Sequence, residues 1–306
     1  MTHFVPTVDR FKGALLGLAV CDALGAPLEF KRRDTYHHVT GMASGGHFKL
    51  EAGTYTDDTA MALCLAESLL ESDGHNPDDQ MKRYVRWYLE GHMSATGRCI
   101  GMGKNTWRAL RQFIDTGIHS SHPGGTQADG NGSLMRLAPI ALYYANEPDK
   151  ALEYAALSSR TTHSSELAEA CCVLMAWLMV GAMQRLTKSE LLHEAYWQGD
   201  NIHDEVMLIA RGSYKAKSRD EINSSGYVVH TLEAALWAFY HTETFEDGAL
   251  LAVNLGEDAD TVGAVYGQLA GAYYGYSAIP GGWLTRLSNR SEIETFAERL
   301  LTERVF

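Results

Sequence analysis

Apolar residues recur at spacings of three and four along nearly the whole chain, and alternation of apolar with polar residues is scarce. Met61, Cys64, Leu65, Ser68 and Leu69 fall on one helix face, with Asp73-Gly74 as a stop. Met81, Tyr84, Val85, Tyr88 and Leu89 repeat the pattern up to Gly91, and Trp107, Leu110, Phe113 and Ile114 form a third stripe closed by Gly117. Residues three and four apart share a side of a helix, so these stripes specify amphipathic helices packed on a common interior. Thr187/Glu190 and Ser291/Glu294 have capping-box spacing and mark two further helix starts. No Pro/Ser-rich linker divides the chain. The expectation is an all-α fold, a compact single-domain orthogonal bundle of about a dozen helices spanning residues 1–306.

Charge narrows the partners. Lys and Arg number 26 against 38 Asp and Glu, a formal net charge of −12. A nucleic-acid groove or an anionic-membrane anchor needs a concentrated basic surface, so the balance argues against both. An anionic small ligand is compatible if its site supplies its own positive charge. The five cysteines (Cys21, Cys64, Cys99, Cys171, Cys172) are odd in number and lack C-x-x-C spacing, which argues against a disulfide framework or a zinc site and for a reducing compartment. The longest uninterrupted apolar run, residues 170–183, falls short of the roughly 20 residues a membrane span needs and reads as a buried core helix. The N-terminal residues lack a signal-peptide pattern. A cytoplasmic monomer is expected.

The segment 117–132 breaks the helical rhythm, being polar, glycine-rich and aperiodic. Long loops of this kind in compact domains are either functional or tolerated surface insertions. Two acidic clusters carry the strongest chemical signal: Thr56-Asp57-Asp58-Thr59 and Asp258-Ala259-Asp260-Thr261, each opening an apolar helical run. Asp and Thr at a helix start serve ordinarily as N-caps. Only one residue per helix can be the N-cap, however, so the surplus carboxylates need another use. Four carboxylates meeting in one cleft would repel unless cations neutralised them. Oxygen ligands without nearby His or Cys favour Mg²⁺, Mn²⁺ or Ca²⁺ over zinc.

The stretch 13–30, GALLGLAVCDALGAPLEF, resembles the N-terminal signature of the ADP-ribosylglycohydrolase family. Thr56-Asp57-Asp58-Thr59 and the segment GEDADTVG at 256–263 are similar to its two metal-binding motifs. Asn131-Gly132-Ser133-Leu134-Met135-Arg136 resembles its glycine-containing ligand loop, and Thr161-Thr162-His163 a further ligand-binding turn. The motifs occur in family order across nearly the whole chain. The resemblance implies an all-α domain with two divalent cations, Mg²⁺ or Mn²⁺, at the base of an ADP-ribose cleft. It implies Thr56, Asp57, Asp58, Asp258, Asp260 and Thr261 as metal ligands, with Asp260 bridging. Asn131, Gly132, Ser133 and His163 are implied on the substrate, the backbone N–H groups near Gly132 and Ser133 receiving the pyrophosphate. Glu29, Asp58 and Asp260 are the implied catalytic residues, and ADP-ribose and ADP-ribosylated protein the implied partners. Read without the resemblance, Glu29 could instead pair with Lys31, Arg32 or Arg33, and His163 could be an ordinary residue before a helix.

One position departs from the pattern. Many arginine-directed members carry an Asp inside a Gly-Arg-Cys-Phe-Asp-Ile-Gly-like segment, whereas residues 97–103 here read GRCIGMG, with Gly101 in the place of the acid. Three outcomes stay open: Glu29 carries the acid/base work alone, Asp129 substitutes, or the chain binds ADP-ribose with little turnover. The expected activity is metal-dependent hydrolysis of the ribosyl bond of ADP-ribosylated side chains or a related conjugate. The alternatives are a weakly catalytic ADP-ribose binder acting by occupancy and an unrelated Mg²⁺-dependent phosphohydrolase. His37-His38 and His119/His122 read as surface residues, Cys21 as core packing, and the stripe around Trp87 and Tyr88 as core.

Overall fold

The computed structural model describes residues 7–119, 129–197, 199 and 202–305, and its regular structure is helical throughout. Fourteen α-helices follow one another: α1 (Val8–Gly25), α2 (Asp57–Glu71), α3 (Pro77–Glu90), α4 (Lys104–Thr116), α5 (Ala138–Tyr143), α6 (Pro148–Arg160), α7 (Glu166–Met183), α8 (Lys188–Leu191), α9 (Asp204–Ala210), α10 (Val228–His241), α11 (Phe245–Val253), α12 (Ala259–Tyr274), α13 (Gly281–Arg286) and α14 (Arg290–Val305). Among the described residues the β pairing is confined to two isolated bridges, Gly45 with Leu50 and Gly130 with Tyr227.

The expected helix stops hold at α3 and α4. Gly91 (φ 73°) and Gly117 (φ 72°) adopt the left-handed conformation that lets a helix end and the chain turn away. The α2 stripe is fully interior. The α4 stripe is not: Leu110 is buried with Thr106 and Ala109, but Trp107 and Ile114 are 47% and 42% exposed. The buried face of α4 is therefore rotated from the one its large apolar residues suggest. Leu89 of α3 is exposed for the same reason, while Trp87 is buried core as expected.

The capping box at Thr187/Glu190 is present, with Glu190 N–H donating to Thr187 Oγ1 and Thr187 N–H to Glu190 Oε2. The one expected at Ser291/Glu294 is not. Ser291 already lies inside α14, and Glu294 is held by Arg290 and Tyr276. Spacing alone could not distinguish a cap from an i, i+4 ion pair one residue earlier. The apolar run 170–183 belongs to α7, which begins at Glu166, so the whole helix has 18 residues. Two segments are long and apolar enough to cross a membrane, Val8–Leu28 and Glu166–Met183, yet 94% and 72% of them are buried within the protein. All five cysteines are free.

One helix pair positions the site. α1 and α12 lie antiparallel with their backbones in contact, because glycines face one another along the seam. A Cβ on Gly17 would stand 2.4 Å from the carbonyl oxygen of Gly267, one on Gly271 would stand 1.9 Å from that of Gly13, and one on Gly263 would stand 2.7 Å from that of Cys21. The same register sets Gly25, at the end of α1, against Ala259 and Asp260 at the start of α12. The C-terminal end of α1 thereby meets the second acidic cluster.

Candidate active site

Six carboxylates and three threonines converge where α1 ends and α2 and α12 begin. The sequence offered capping as the ordinary use of these acids. The structure shows otherwise: Thr56 and Asp258 are the N-cap residues of α2 and α12, and neither side chain caps its own helix. The N-terminus of α2 is capped from another helix. Asp22 of α1 accepts hydrogen bonds from the Thr56 and Thr59 backbone N–H groups and from both threonine hydroxyls, at 2.6–3.1 Å. That substitution frees the side chains of the Thr56-Asp57-Asp58 run to face inward. Thr56 Oγ1 lies 3.2 Å from Asp58 Oδ2 and 3.5 Å from Asp260 Oδ2.

A second device aims Glu29 and Asp258 at the same point. Phe30 and Glu257 both hold positive φ (63° and 58°), a conformation that side-chain-bearing residues adopt at a cost. They are clipped together by paired backbone bonds: Phe30 N–H donates to the Glu257 carbonyl and Glu257 N–H to the Lys31 carbonyl, each at 2.7 Å. Glu29 makes none of the ion pairs open to it in the sequence. Arg33 donates instead to the carbonyls of Arg219, Ile222 and Leu255, and Lys31 and Arg32 are exposed. Asp258 is braced by Asn131, whose Nδ2 donates to its Oδ2 at 2.7 Å and to Thr231 Oγ1 at 2.9 Å.

The result is two overlapping carboxylate triads. Oxygens of Asp22, Asp58 and Asp260 lie within 4.8 Å of one another, as do those of Glu29, Asp258 and Asp260. Asp260 belongs to both. Asp57 belongs to neither; it lines the cleft above them. The electrostatics are those of unneutralised negative charge. Burial, then Asp57 and Asp258, push the Glu29 carboxyl up to about 8. Burial and Asp22 push Asp57 to about 8. Burial raises Asp58 and Asp260 well above the carboxylate range, reinforced by surrounding acids. Asp22 rises only to about 6, because four hydrogen-bond donors favour its charged form. Glu29 Oε2 and Asp58 Oδ1 are buried without a hydrogen-bond partner. Orphaned carboxylate oxygens among like charges, with no soft ligand beside them, fit hard divalent cations.

Above the triads opens a cleft of about 1030 Å³. Glu29, Asp57, Asp258, Asp260 and Thr261 line its floor, and Gly130, Asn131, Gly132 and His163 line one wall. Asp258, Asp260, Thr261 and Glu29 are thus brought together at one cleft. Thr56 and Asp58 are just beneath, buried and outside the lining. The Ser133 hydroxyl accepts from Ser159 Oγ at 2.7 Å and from the Cys172 thiol, and Ser133 is not among the residues that line the cleft. His163 is not part of the α7 cap, a role taken by Ser165. It is buried against the glycine loop, and burial drives its imidazole down to about 3. Asp129 does not line the cleft. Residues 120–128 of the irregular segment, His122 among them, lie outside the described residues. His37, His38 and His119 are exposed.

Sequence reasoning missed the part Asp22 plays. Its signal was present, as the one charged residue in the buried stretch 13–25 of α1. It also missed why residue 101 is glycine: φ is +86°, and a Cβ there would stand 2.1 Å from Asp57 Oδ1.

Known proteins resemble this chain along nearly its whole length. The family model described as ADP-ribosylglycohydrolase matches residues 5–305. The chain is 42% identical over 293 residues to "ADP-ribosylarginine hydrolase Tri1" of Pseudomonas putida (strain GB-1), covering 96% of this chain and 78% of that protein. It is 32% identical to "ADP-ribosyl-[dinitrogen reductase] glycohydrolase" of Rhodospirillum rubrum, covering 94% and 92%. A solved structure titled "ADP-ribosylglycohydrolase-related protein complex" superposes with a TM-score of 0.85 at 46% identity, covering 96% of this chain and 97% of that one. In sequence and in fold, this chain belongs to the ADP-ribosylglycohydrolase family.

Proposed function

We propose that the chain is a divalent-metal-dependent ADP-ribosyl hydrolase that frees ADP-ribose from modified arginine side chains of proteins. The observation that carries this reading is Asp260, shared by two carboxylate triads at the floor of a cleft whose wall is a glycine loop. Thr56, Asp57, Asp58, Asp258, Asp260 and Thr261 would hold two divalent cations, Mg²⁺ or Mn²⁺. Bound there, the cations supply charge neutralisation and Lewis acidity at the ribose end of the cleft.

The chain's own residues do the rest. Asp22 holds the start of α2 in place, and Asn131 holds Asp258. The backbone at 130–133 and His163 receive the pyrophosphate, fixing the ribose over the floor. In the reaction the bond from ribose C1 to the side-chain nitrogen breaks, water oxygen bonds to C1, and the nitrogen takes a proton. Glu29, with a buried and unpartnered Oε2, is placed to hold that proton and move it. Arginine as acceptor is supported by the name of the 42%-identical relative. A cytoplasmic location is part of the proposal, supported by five free cysteines.

Gly101 favours a second reading, ADP-ribose binding without turnover. The position of Glu29 supports catalysis over it. Mass spectrometry of ADP-ribose release from arginine- and serine-linked peptides, with Mg²⁺ or Mn²⁺, with chelator, and with Asp260→Ala, tests both. Metal-dependent release from the arginine peptide is expected. Binding of ADP-ribose without release from either peptide would establish the second reading, and release of AMP would point to phosphate chemistry instead.

A further inference from the structure

The wall of the cleft is braced by a buried cation whose partners are all neutral. Arg136 is fully buried; its Nη1 donates to the Gly132 carbonyl at 2.9 Å and its Nη2 to Thr162 Oγ1 at 2.7 Å, with longer bonds to Ser158 O and Thr161 Oγ1. Its guanidinium carbon lies 4.8 Å from the centre of the Tyr84 ring. One side chain therefore ties together the two segments that face a ligand, the glycine loop and the turn carrying His163.

This network fixes more than position. A guanidinium only donates, so Thr162 Oγ1 must accept from Arg136. The Thr162 hydroxyl is itself buried and has one proton to place, and its other partner is His163 Nδ1 at 2.8 Å. Were Nδ1 protonated, the hydroxyl proton would be orphaned in the interior, which is costly. Nδ1 is therefore the acceptor, and the ring proton sits on Nε2. A doubly protonated ring is opposed by burial and by the charge of Arg136. Nε2 lies against the cleft-lining glycines: a Cβ on Gly130 would be 3.3 Å from it and one on Gly132 3.2 Å.

We propose that Arg136 and Thr162 are positioning residues that lock His163 as the neutral Nε2–H tautomer, so that it offers a hydrogen-bond donor to an anionic diphosphate oxygen above the 130–132 loop. The other tautomer would present a lone pair to the same oxygen and repel it. The diphosphate rests on the function proposed above; the tautomer does not.

Long-range proton–nitrogen correlation spectra of nitrogen-15-labelled protein read the tautomer directly. The wild type and Thr162→Ser should show an unprotonated Nδ1 and a protonated Nε2, unchanged down to about pH 5. Thr162→Val should admit the Nδ1–H form and bind ADP-ribose about tenfold more weakly in calorimetry, while Thr162→Ser binds as the wild type does. A wild-type ring protonated on Nδ1 overturns the proposal, as does a Thr162→Val protein with unchanged tautomer and affinity. If Thr162→Val does not fold, the wild-type spectrum alone decides. An Nε2–H ring in a protein that fails to bind ADP-ribose would remove the diphosphate, and the proposed function with it, while leaving the lock standing.

Discussion

Gly101 lies against the carboxylate of Asp57, so close that a Cβ at position 101 would meet Oδ1 at 2.1 Å. The place where relatives of this chain are expected to carry an acid is filled here by the edge of the cluster itself. Two independent constraints hold the glycine, the contact and its φ of +86°. Gly101→Asp should therefore not restore a missing acid. A left-handed non-glycine residue costs ~1–2 kcal/mol, and overpacking adds ~1–3 kcal/mol. Gly101→Ala and Gly101→Asp should both lower the melting temperature and reduce kcat/KM for an arginine-linked peptide by at least about tenfold, as Asp57 is displaced. A more active Gly101→Asp enzyme would show that segment 97–103 moves freely and that the acid was merely lost.

Asp260 and Asp22 sit in the same triad but should respond oppositely to substitution. Asp260 has acids all round it, so Asp260→Asn relieves repulsion while removing the group common to both triads. In chelator that variant should melt higher than the wild type, yet release of ADP-ribose should fall by more than ~10²-fold. Asp22 is already saturated by donors and caps α2, so Asp22→Asn should melt lower with or without metal, by ~1–2 kcal/mol. Melting curves of both variants, with chelator and with Mg²⁺, check the contrast. Equal destabilisation by the two would mean that Asp260 is a structural acid.

The pH dependence of stability follows from the floor of the cleft. In metal-free protein Glu29 and Asp57 are raised from 4.5 and 3.8 to about 8. A raised carboxyl binds its proton more tightly folded than unfolded. Its stabilisation is full below its unfolded pKa and is lost as pH rises toward about 8. His163 acts in the opposite sense: lowered from 6.5 to about 3, it contributes above about pH 6.5, a contribution that fades as pH falls toward 3. Chelated protein should thus lose melting temperature between about pH 5 and pH 8. Added Mg²⁺ should shrink or reverse that loss, because cations compete with protons for the same oxygens. A chelated protein whose melting temperature climbs through this interval would exclude a cluster buried in the protonated state.

The helices were legible because burial imposes a period on the sequence, and the acidic clusters because surplus charge at a helix start has few structural uses. What joins them was not legible. Asp22 and Thr59 are 37 residues apart and Asn131 and Asp258 are 127 apart, and no spacing rule predicts such bonds. The left-handed Phe30 and Glu257 gave no sign, since neither is a residue that favours that conformation. Trp107 and Ile114 misled because an apolar side chain can face the solvent as well as the core. Gly101 was read as a loss, whereas its left-handed φ, with Asp57 packed against it, gives the glycine a structural reason.

The seam between α1 and α12 ties stability to the site, and it makes the last prediction. A Cβ on Gly267 would stand 2.1 Å from the carbonyl oxygen of Gly17, a backbone atom that no rotamer change can move aside. Gly267→Ala has a higher intrinsic helix propensity by ~1 kcal/mol, so an exposed site would gain from the change. Here the helices must separate instead, and the net effect should be a loss of ~1–3 kcal/mol, read as a melting temperature several degrees lower. Separation also carries Asp258 and Asp260 at the start of α12 away from Asp22 in the last turn of α1 and Glu29 just beyond it. Metal-dependent hydrolysis should therefore fall further than the fraction of folded protein does, although residue 267 lies two turns from the nearest carboxylate in the chain. Gly17→Ala should do the same from the other side of the seam, and the double variant should cost less than the sum, since one separation accommodates both methyl groups. A Gly267→Ala protein as stable and active as the wild type would mean that the two backbones are not in contact and that something other than this ladder of glycines brings the acids together.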